Sequence, residues 1–160
     1  MEQILPIEEL AQKRLEALTY SYSLLVKNLK EEGVPLETVK KASDKTWAML
    51  GQKTAEQLKP LFGEHVNIES LKQSGMIATG VHGMEMTEQI DGNTIKSEYT
   101  KCPWQDVNMA LNMPEDWRIC QSGHAAFTDA MYKGLIPGAG YKLTKTMPTG
   151  NQICAGMTTL

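Results

Sequence analysis

A change of periodicity halfway along the chain is the feature that most constrains the fold. In the first half, apolar residues recur at spacings of three and four, which indicates amphipathic helices. In residues 84–90 (MEMTEQI) and 94–100 (TIKSEYT), apolar and polar residues instead alternate on either side of Asp91-Gly92. A DG turn between alternating segments is a strong signal for a β-hairpin. We therefore expect long helices followed by a sheet.

Two long helices are predicted in the first half of the chain. Gly33 ends the first helix and Pro35 opens the second, and so short a turn predicts antiparallel packing. A third, short helix is expected from Asn67, a suitable cap, through Leu71. The first helix carries an apolar stripe of Ala11, Leu15, Leu18, Tyr22, Leu25 and Leu29. The second carries Leu36, Val39, Trp47, Leu50, Leu58 and Leu61.

Helices and then strands are predicted to follow the hairpin. Pro103 suits the first turn of one helix, and a second helix is expected to begin at Pro114 and to run to about Lys133. The alternating segments 141–147 (YKLTKTM) and 152–160 (QICAGMTTL) flank a PTGN turn and predict a second hairpin.

The order of these elements predicts an α+β fold. Long N-terminal helices would pack on a small antiparallel sheet built from two hairpins, with a further helix pair between the hairpins. The length favours a single domain over 1–160. We expect this domain to be mainly helical over 1–80 and to form a hairpin-helix-hairpin unit over 81–160.

Composition argues against several classes of partner. The net charge of −3 lacks the basic character that binds nucleic acid, and no apolar run approaches the roughly 20 residues of a membrane span. The acidic, amphipathic N-terminus does not resemble a secretory signal. Three cysteines form an odd and sparse set, which indicates a reducing compartment and hence a cytoplasmic protein.

The segment WRICQSGHAAF, from Trp117 to Phe127, carries the candidate chemistry. Cys120 and His124 lie one helical turn apart, so a regular helix would place them on one face with Trp117, Phe127 and Met131. A thiol beside an imidazole can be a nucleophile with its base, or two ligands of a metal. The alternative is the core face of an amphipathic helix, because cysteine is among the most buried residue types. The ten methionines likewise fit either a Met-rich core or an adaptable pocket.

The second half of the chain also resembles a known family. The pattern is Y-T-K-C-P-W, then W-R-I-C, then G-L-I-P-G, then L-T-K-T-M-P-T-G-N-Q-I-C, over roughly residues 95–160. It resembles the L-2-amino-thiazoline-4-carboxylic acid hydrolase family. Members tend to have a Cys-Pro near a strand end, a cysteine on the next long helix and a Gly-Asp-x-x-Cys-like turn. Cys102, Cys120 and Cys154 occupy these places here, whereas Asn151 and His124 stand where acidic residues are usual.

The C-terminal hairpin is similar to a second group, the vinyl-reductase type of small-molecule-binding domain. In its sensory members, cysteines and a glutamate hold a zinc ion. Thr144, Thr146 and Met147 stand here where such a Cys or Glu would be expected. Both resemblances imply a mixed helix-and-sheet fold, with the ligand held between the helices and the sheet.

The resemblances imply that the three cysteines converge near His124. By count, Cys102, Cys120, Cys154 and His124 would suit a tetrahedral zinc or iron ion. Without a metal, a Cys120 thiolate would attack an amidine-like carbon, with His124 as acid or base. The resemblances further imply ligand contacts from Cys102, Trp104, Trp117 and Cys154.

Two functions follow as hypotheses. The first is a hydrolase that opens a small cyclic carbon–nitrogen bond with Cys120 and His124. The second is a binding module that holds a small molecule or a metal ion without turnover. In either case a small-molecule ligand is the expected partner, and the apolar stripe of the first helix predicts a homodimer through the N-terminal helices.

Overall fold

The computed structural model describes residues 6–63 and 65–160, and it has the predicted α+β fold. Long N-terminal helices precede a four-stranded antiparallel sheet. The helices are α1 (Ile7–Glu31), α2 (Leu36–Phe62), α3 (Ile68–Val81), α4 (Pro103–Ala110) and α5 (Cys120–Leu135). The strands are β1 (Glu85–Asp91), β2 (Thr94–Lys101), β3 (Gly140–Lys145) and β4 (Cys154–Thr159).

The sheet joins the two predicted hairpins side by side in the order β1-β2-β4-β3. The DG turn links β1 to β2, and Gly92 adopts there the positive φ of 58° that favours glycine. Alternate residues of β2, namely Ile95, Ser97 and Tyr99, are buried, while the residues between them are exposed. One face of the sheet therefore meets the helices and the other meets solvent.

Small residues bring α5 unusually close to α2. A Cβ atom on Gly51 of α2 would clash with the carbonyl oxygen of Phe127 on α5. A Cβ on Gly134 would lie 2.6 Å from Cβ of Ala55. On the other side, α5 packs against β3. The central helix thus joins the long helices to the sheet. The core around it includes Leu58, Leu71, Ile95, Phe127, Met131, Tyr132 and Leu135.

A second, smaller core cluster connects the N-terminal helices to the segment before α5. It contains Val26 of α1, Val39 of α2, Met113 and Ile119. Helix α1 contacts α4 more extensively than it contacts α2, although the short turn at Gly33 joins α1 to α2. Sequence proximity therefore predicted the turn but not the main packing partner of α1.

The predicted apolar stripes of α1 and α2 are wrong at several positions. Leu18 and Leu25 of α1 are 56% and 55% exposed, and Leu50 and Leu61 of α2 are 44% and 68% exposed. The buried positions carry mostly small or polar residues, which are Thr19, Ser23 and Val26 on α1, and Val39, Ser43, Gly51, Ala55 and Leu58 on α2. Close helix packing selects small side chains, so the apolar pattern alone misjudged these faces.

Two helix boundaries also differ from the prediction. The predicted cap of α3 is present, since Oδ1 of Asn67 accepts a hydrogen bond of 3.1 Å from the backbone N–H of Ser70. The helix continues to Val81 rather than ending near Leu71.

Across the described residues, no helix combines the length and apolar character needed to cross a membrane.

The helix predicted to begin at Pro114 is interrupted. Pro114 opens only a 3-10 turn over Glu115–Trp117, and Arg118 leaves the helical region with ψ of 68°. Its side chain supports this break, because Nε donates a 2.9 Å hydrogen bond to the carbonyl oxygen of Met113. Helix α5 begins only at Cys120, so Trp117 does not share a helical face with it.

We expect Gly51→Ala to destabilise the fold. The added methyl would clash with the backbone carbonyl of Phe127, which no side-chain rotation can relieve, so a loss of about 1–3 kcal/mol in the free energy of unfolding is expected. Urea denaturation measures it. Gly80→Ala, at an exposed position of α3, is the matched control. A Cβ there meets nothing within 4 Å, so this substitution should be neutral or stabilising. Equal stability of the two variants would contradict the close approach of α5.

Candidate functional site

A largely apolar cavity lies between α2, α3, α5 and the inner face of the sheet. The empty space between its walls is about 840 Å³ when the solvent at its mouth is included. Its walls are made mostly by aromatic rings, three thiols, methionines and small residues, and none of the lining residues is Asp, Glu, Lys or Arg. A mostly apolar lining with a few polar groups is typical of small-molecule sites.

Tryptophan rings build one end of the cavity. The ring centroids of Trp47 and Trp104 lie 5.3 Å apart at an interplanar angle of 86°, and Tyr22 packs edge-on against both. Nε1 of Trp47 donates a 3.2 Å hydrogen bond to the hydroxyl of Tyr22, which lies 2.6 Å from Oγ of Ser43. The polar atoms of this wall are thus paired with one another, which fixes the rings and leaves their faces for apolar contacts.

The structure brings the three cysteines and His124 to the wall of this one cavity. Cys102 precedes α4, Cys120 is the first residue of α5, and Cys154 opens β4 opposite Tyr99. All three thiols are free.

The two tryptophans with predicted ligand contacts lie in different places. Trp104 lines the cavity beside the thiols. Trp117 does not line it, and packs instead against the second core cluster, around Met113 and Ile119. Its place in the 3-10 turn before α5 accounts for this separation.

The four side chains predicted to bind zinc or iron are not arranged as a metal-binding group. Within residues 6–63 and 65–160, no group of three or more His, Cys, Asp or Glu is arranged to hold a metal ion. The physical reason is that the groups face different partners. The backbone N–H of Met147 donates to Sγ of Cys154 at 3.2 Å, and Sγ of Cys120 lies 3.7 Å from both Nδ2 of Asn108 and the carbonyl oxygen of Arg118.

Burial keeps the thiols protonated. It raises the pKa of Cys102 to about 11 and that of Cys120 to about 12, and the neighbouring thiols raise the pKa of Cys120 further. Burial also raises the pKa of Cys154. Because the thiolate is the nucleophilic form of cysteine, none of the three is activated at neutral pH.

His124 is engaged with two tyrosines rather than with Cys120. Its Nε2 lies 3.1 Å from the hydroxyl of Tyr141, which in turn donates a 3.3 Å hydrogen bond to the hydroxyl of Tyr99. Burial lowers the pKa of His124 to about 4, so the ring is neutral at pH 7. No hydrogen bond joins His124 to Cys120 in the described part of the chain. A nucleophile–base pair is therefore not assembled.

Gly156 makes the tyrosine arrangement possible. Tyr141 crosses β4 at this position, and a Cβ on Gly156 would clash with its ring and hydroxyl. The hydroxyl thereby reaches Tyr99 and His124 above the inner face of the sheet. Glu98 and Tyr99 are neighbours on β2 and point to opposite faces of the sheet; Tyr99 lines the cavity, whereas Glu98 is exposed.

His82 lies in the turn after α3, and its side chain lines the cavity. It follows α3, where the positive φ of Gly83 turns the chain, and its ring packs edge-on against Trp47 and Phe127 at centroid distances of 5.8 and 5.3 Å. Burial lowers its pKa. No periodicity marks a residue just past a helix end, which is why the sequence pattern did not reveal it.

Comparisons with known proteins support the fold and leave the family open. No family model and no curated protein sequence matches the chain. Solved structures do match. The phenol-responsive sensory domain of the transcription activator PoxR, solved with phenol, has a TM-score of 0.64 at 15% identity over 88% of this chain and 73% of that chain. No match supports membership of the thiazoline-carboxylate hydrolase family.

A second solved structure has similar overlap. Trafficking protein particle complex subunit 3 from Naegleria fowleri, covalently bound to palmitic acid, has a TM-score of 0.63 at 10% identity. The match covers 93% of this chain and 96% of that chain. At these identities the similarity shows a shared fold, and one of the proteins that has this fold is a small-ligand-binding sensory domain.

We expect the three thiols to react slowly in the folded protein. Because burial raises their pKa values, alkylation by iodoacetamide near pH 8 should be at least about tenfold slower in native protein than in urea-unfolded protein. Mass spectrometry of each cysteine peptide measures the rates. Rapid native labelling of Cys120 would contradict its protonated, buried state.

Proposed function

We propose that this protein is a non-catalytic binding module for a small, uncharged and largely apolar molecule. The observation that carries the proposal is the cavity, which combines an aromatic wall with the absence of any ionised lining side chain. Apolar surface of a ligand would be transferred from water to these walls, which is the main driving force of such binding.

The charge of the ligand follows from the groups around it. His82 and His124 line the cavity, and burial lowers the pKa of both, so neither is a cation at neutral pH. A charged ligand would lose its hydration without gaining a counter-ion, which is costly. A neutral ligand with few polar groups avoids this cost.

The shared fold supports a ligand site of this kind. The PoxR domain was solved with phenol, and the trafficking complex subunit with palmitic acid. Both compounds have a largely apolar body. We carry over from these proteins only the proposal that the present cavity also holds a largely apolar compound, and phenol serves as a convenient probe of it.

The predicted site residues receive roles in this scheme. Trp104 would provide a stacking surface for the ligand. The protonated thiols of Cys102, Cys120 and Cys154 would add polarisable, largely apolar surface to the cavity wall. The imidazole of His124, held by Tyr141, would offer the ligand a polar contact. Cysteine-based hydrolysis receives no support, because the thiols are protonated and His124 is paired elsewhere.

Two further expectations belong to the same proposal. Free cysteines fit a reducing compartment such as the cytoplasm. A homodimer through the N-terminal helices is supported by Leu18 and Leu25, which lie two turns apart on α1 and are each more than half exposed. Exposed leucines on one side of a helix are a common component of protein interfaces.

Trp104→Ala should weaken phenol binding roughly tenfold or more, because it removes a large buried ring from the cavity wall. Isothermal titration calorimetry measures the affinity. Trp117→Ala is the matched control, since this tryptophan lies outside the cavity, and its affinity should stay within about twofold of wild type. Failure of wild-type protein to bind phenol, toluene or other neutral one-ring compounds would refute the proposed function.

Leu25→Glu should convert the proposed dimer to a monomer while folding is retained, because a carboxylate would be buried at the interface without a partner. Light scattering coupled to size exclusion reports the mass, and circular dichroism reports the fold. Leu61→Glu on α2, at a position that is 68% exposed, is the matched control and should leave the dimer intact. A wild-type monomer at micromolar concentration would count against this part of the proposal.

A further inference from the structure

A buried polar cluster adjoins the cavity and has no part in the proposed function. It consists of Glu88 on β1, Ser97 on β2, Tyr132 on α5 and Thr158 on β4, beside Gly75 of α3. Oγ of Ser97 donates a 2.9 Å hydrogen bond to Oε1 of Glu88. The other carboxyl oxygen, Oε2, is buried and has no hydrogen-bond partner among the described residues. Buried polar atoms without partners are rare and call for an explanation.

Gly75 brings this cluster into contact with the cavity. A Cβ at this position would lie 2.5 Å from the hydroxyl oxygen of Tyr132 and 3.0 Å from Oε1 of Glu88. Both oxygens therefore lie close to the backbone of α3 at Gly75. Gly75 and Tyr132 line the cavity, whereas Glu88 lies just behind them. Tyr132, whose side chain is 1% exposed, thus borders both the carboxyl group and the cavity.

The carboxyl group is the group here that titrates near neutral pH. Burial raises the pKa of Glu88 to about 7, against the opposing effects of the Ser97 hydrogen bond and of Lys72, which faces it from α3. Burial raises the pKa of Tyr132 on α5 and of Tyr99 on β2 well above 10. It lowers the pKa of His82 and of His124, which favours their neutral forms, and it raises the pKa values of the thiols, which favours their protonated forms.

We propose that Glu88 is a positioning residue of the ligand site and that binding of an apolar ligand in the cavity is coupled to proton uptake by the Glu88 carboxyl group. The inference rests on the proposed function. A ligand displaces water from the wall formed by Gly75 and Tyr132, and the carboxylate behind that wall loses stabilising solvent. Protonation removes the buried charge and gives the carboxyl group an O–H donor beside the Tyr132 hydroxyl.

The direction of the pH dependence follows from linkage. If the complex binds more protons than the free protein, affinity is highest where Glu88 is already protonated and falls as the pH rises through about 7. A rise of about one unit in the pKa of Glu88 on binding makes the affinity roughly fivefold weaker near pH 8 than near pH 6.

Toluene is the probe for the test because it carries no titratable group. Its affinity for the full chain is measured by calorimetry near pH 6 and pH 8, in two buffers of different ionisation enthalpy that reveal proton uptake. We expect a roughly fivefold loss and net proton uptake in wild type. Glu88→Gln should bind toluene with the same affinity at both pH values. Glu98→Gln, on the exposed face of β2, is the matched control and should keep the wild-type dependence.

A second variant keeps the inference falsifiable if Glu88→Gln does not fold. Ser97→Ala removes the hydrogen bond that favours the carboxylate, so the fall in affinity should move to higher pH. Toluene binding of equal affinity at both pH values in wild type overturns this inference and leaves the proposed function standing. An unchanged pH dependence in Glu88→Gln or Ser97→Ala also overturns it. No toluene binding at either pH overturns both.

Discussion

The close approach of α5 to α2 is the constraint on which the rest of the structure depends. At Gly51 the two backbones meet with no side chain between them, and at Gly134 only the methyl of Ala55 intervenes. Because one side of α5 is held so tightly, its other side is fixed over the sheet at a distance that the large side chains of Phe127 and Tyr132 do not fill completely. The cavity is the space left by this arrangement, and its walls come from elements far apart in the sequence.

The sequence was sufficient for the architecture because the sheet has strong local signals. The DG turn and the alternation on either side of it located β1 and β2, and the second hairpin followed from the same reasoning. The buried faces of α1 and α2 were harder to predict. Their contacts use small and polar residues, so leucines such as Leu18 and Leu61 were assigned to the core although they are exposed. Apolar periodicity identifies a helix, but packing distance decides which side is buried.

The candidate site was predictable in part. The resemblance in the second half of the chain implied that Cys102, Cys120 and Cys154 would converge, and the structure places them with His124 on one cavity wall. Their chemistry could not be predicted, because it depends on burial and on partners from other elements. Burial raises the pKa of each thiol and lowers the pKa of His124. In addition, Nε2 of His124 is already hydrogen-bonded to the hydroxyl of Tyr141. The enclosure that favours an apolar ligand thus removes the reactivity that the cysteine pattern suggested.

Tyr141 has a consequence for the mechanics of the molecule. Its hydroxyl contacts His124 and Tyr99, which line the cavity, while its backbone N–H donates a 3.0 Å hydrogen bond to Oδ1 of Asp129 on α5, whose other oxygen pairs with Lys133. One residue therefore ties the cavity wall, the central helix and the edge strand β3 together. A compound that pushes the Tyr141 ring aside must also shift β3 or stretch its attachment to α5. A displacement of His124 or Tyr99 at the cavity wall would therefore be transmitted through Tyr141 to the edge strand of the sheet.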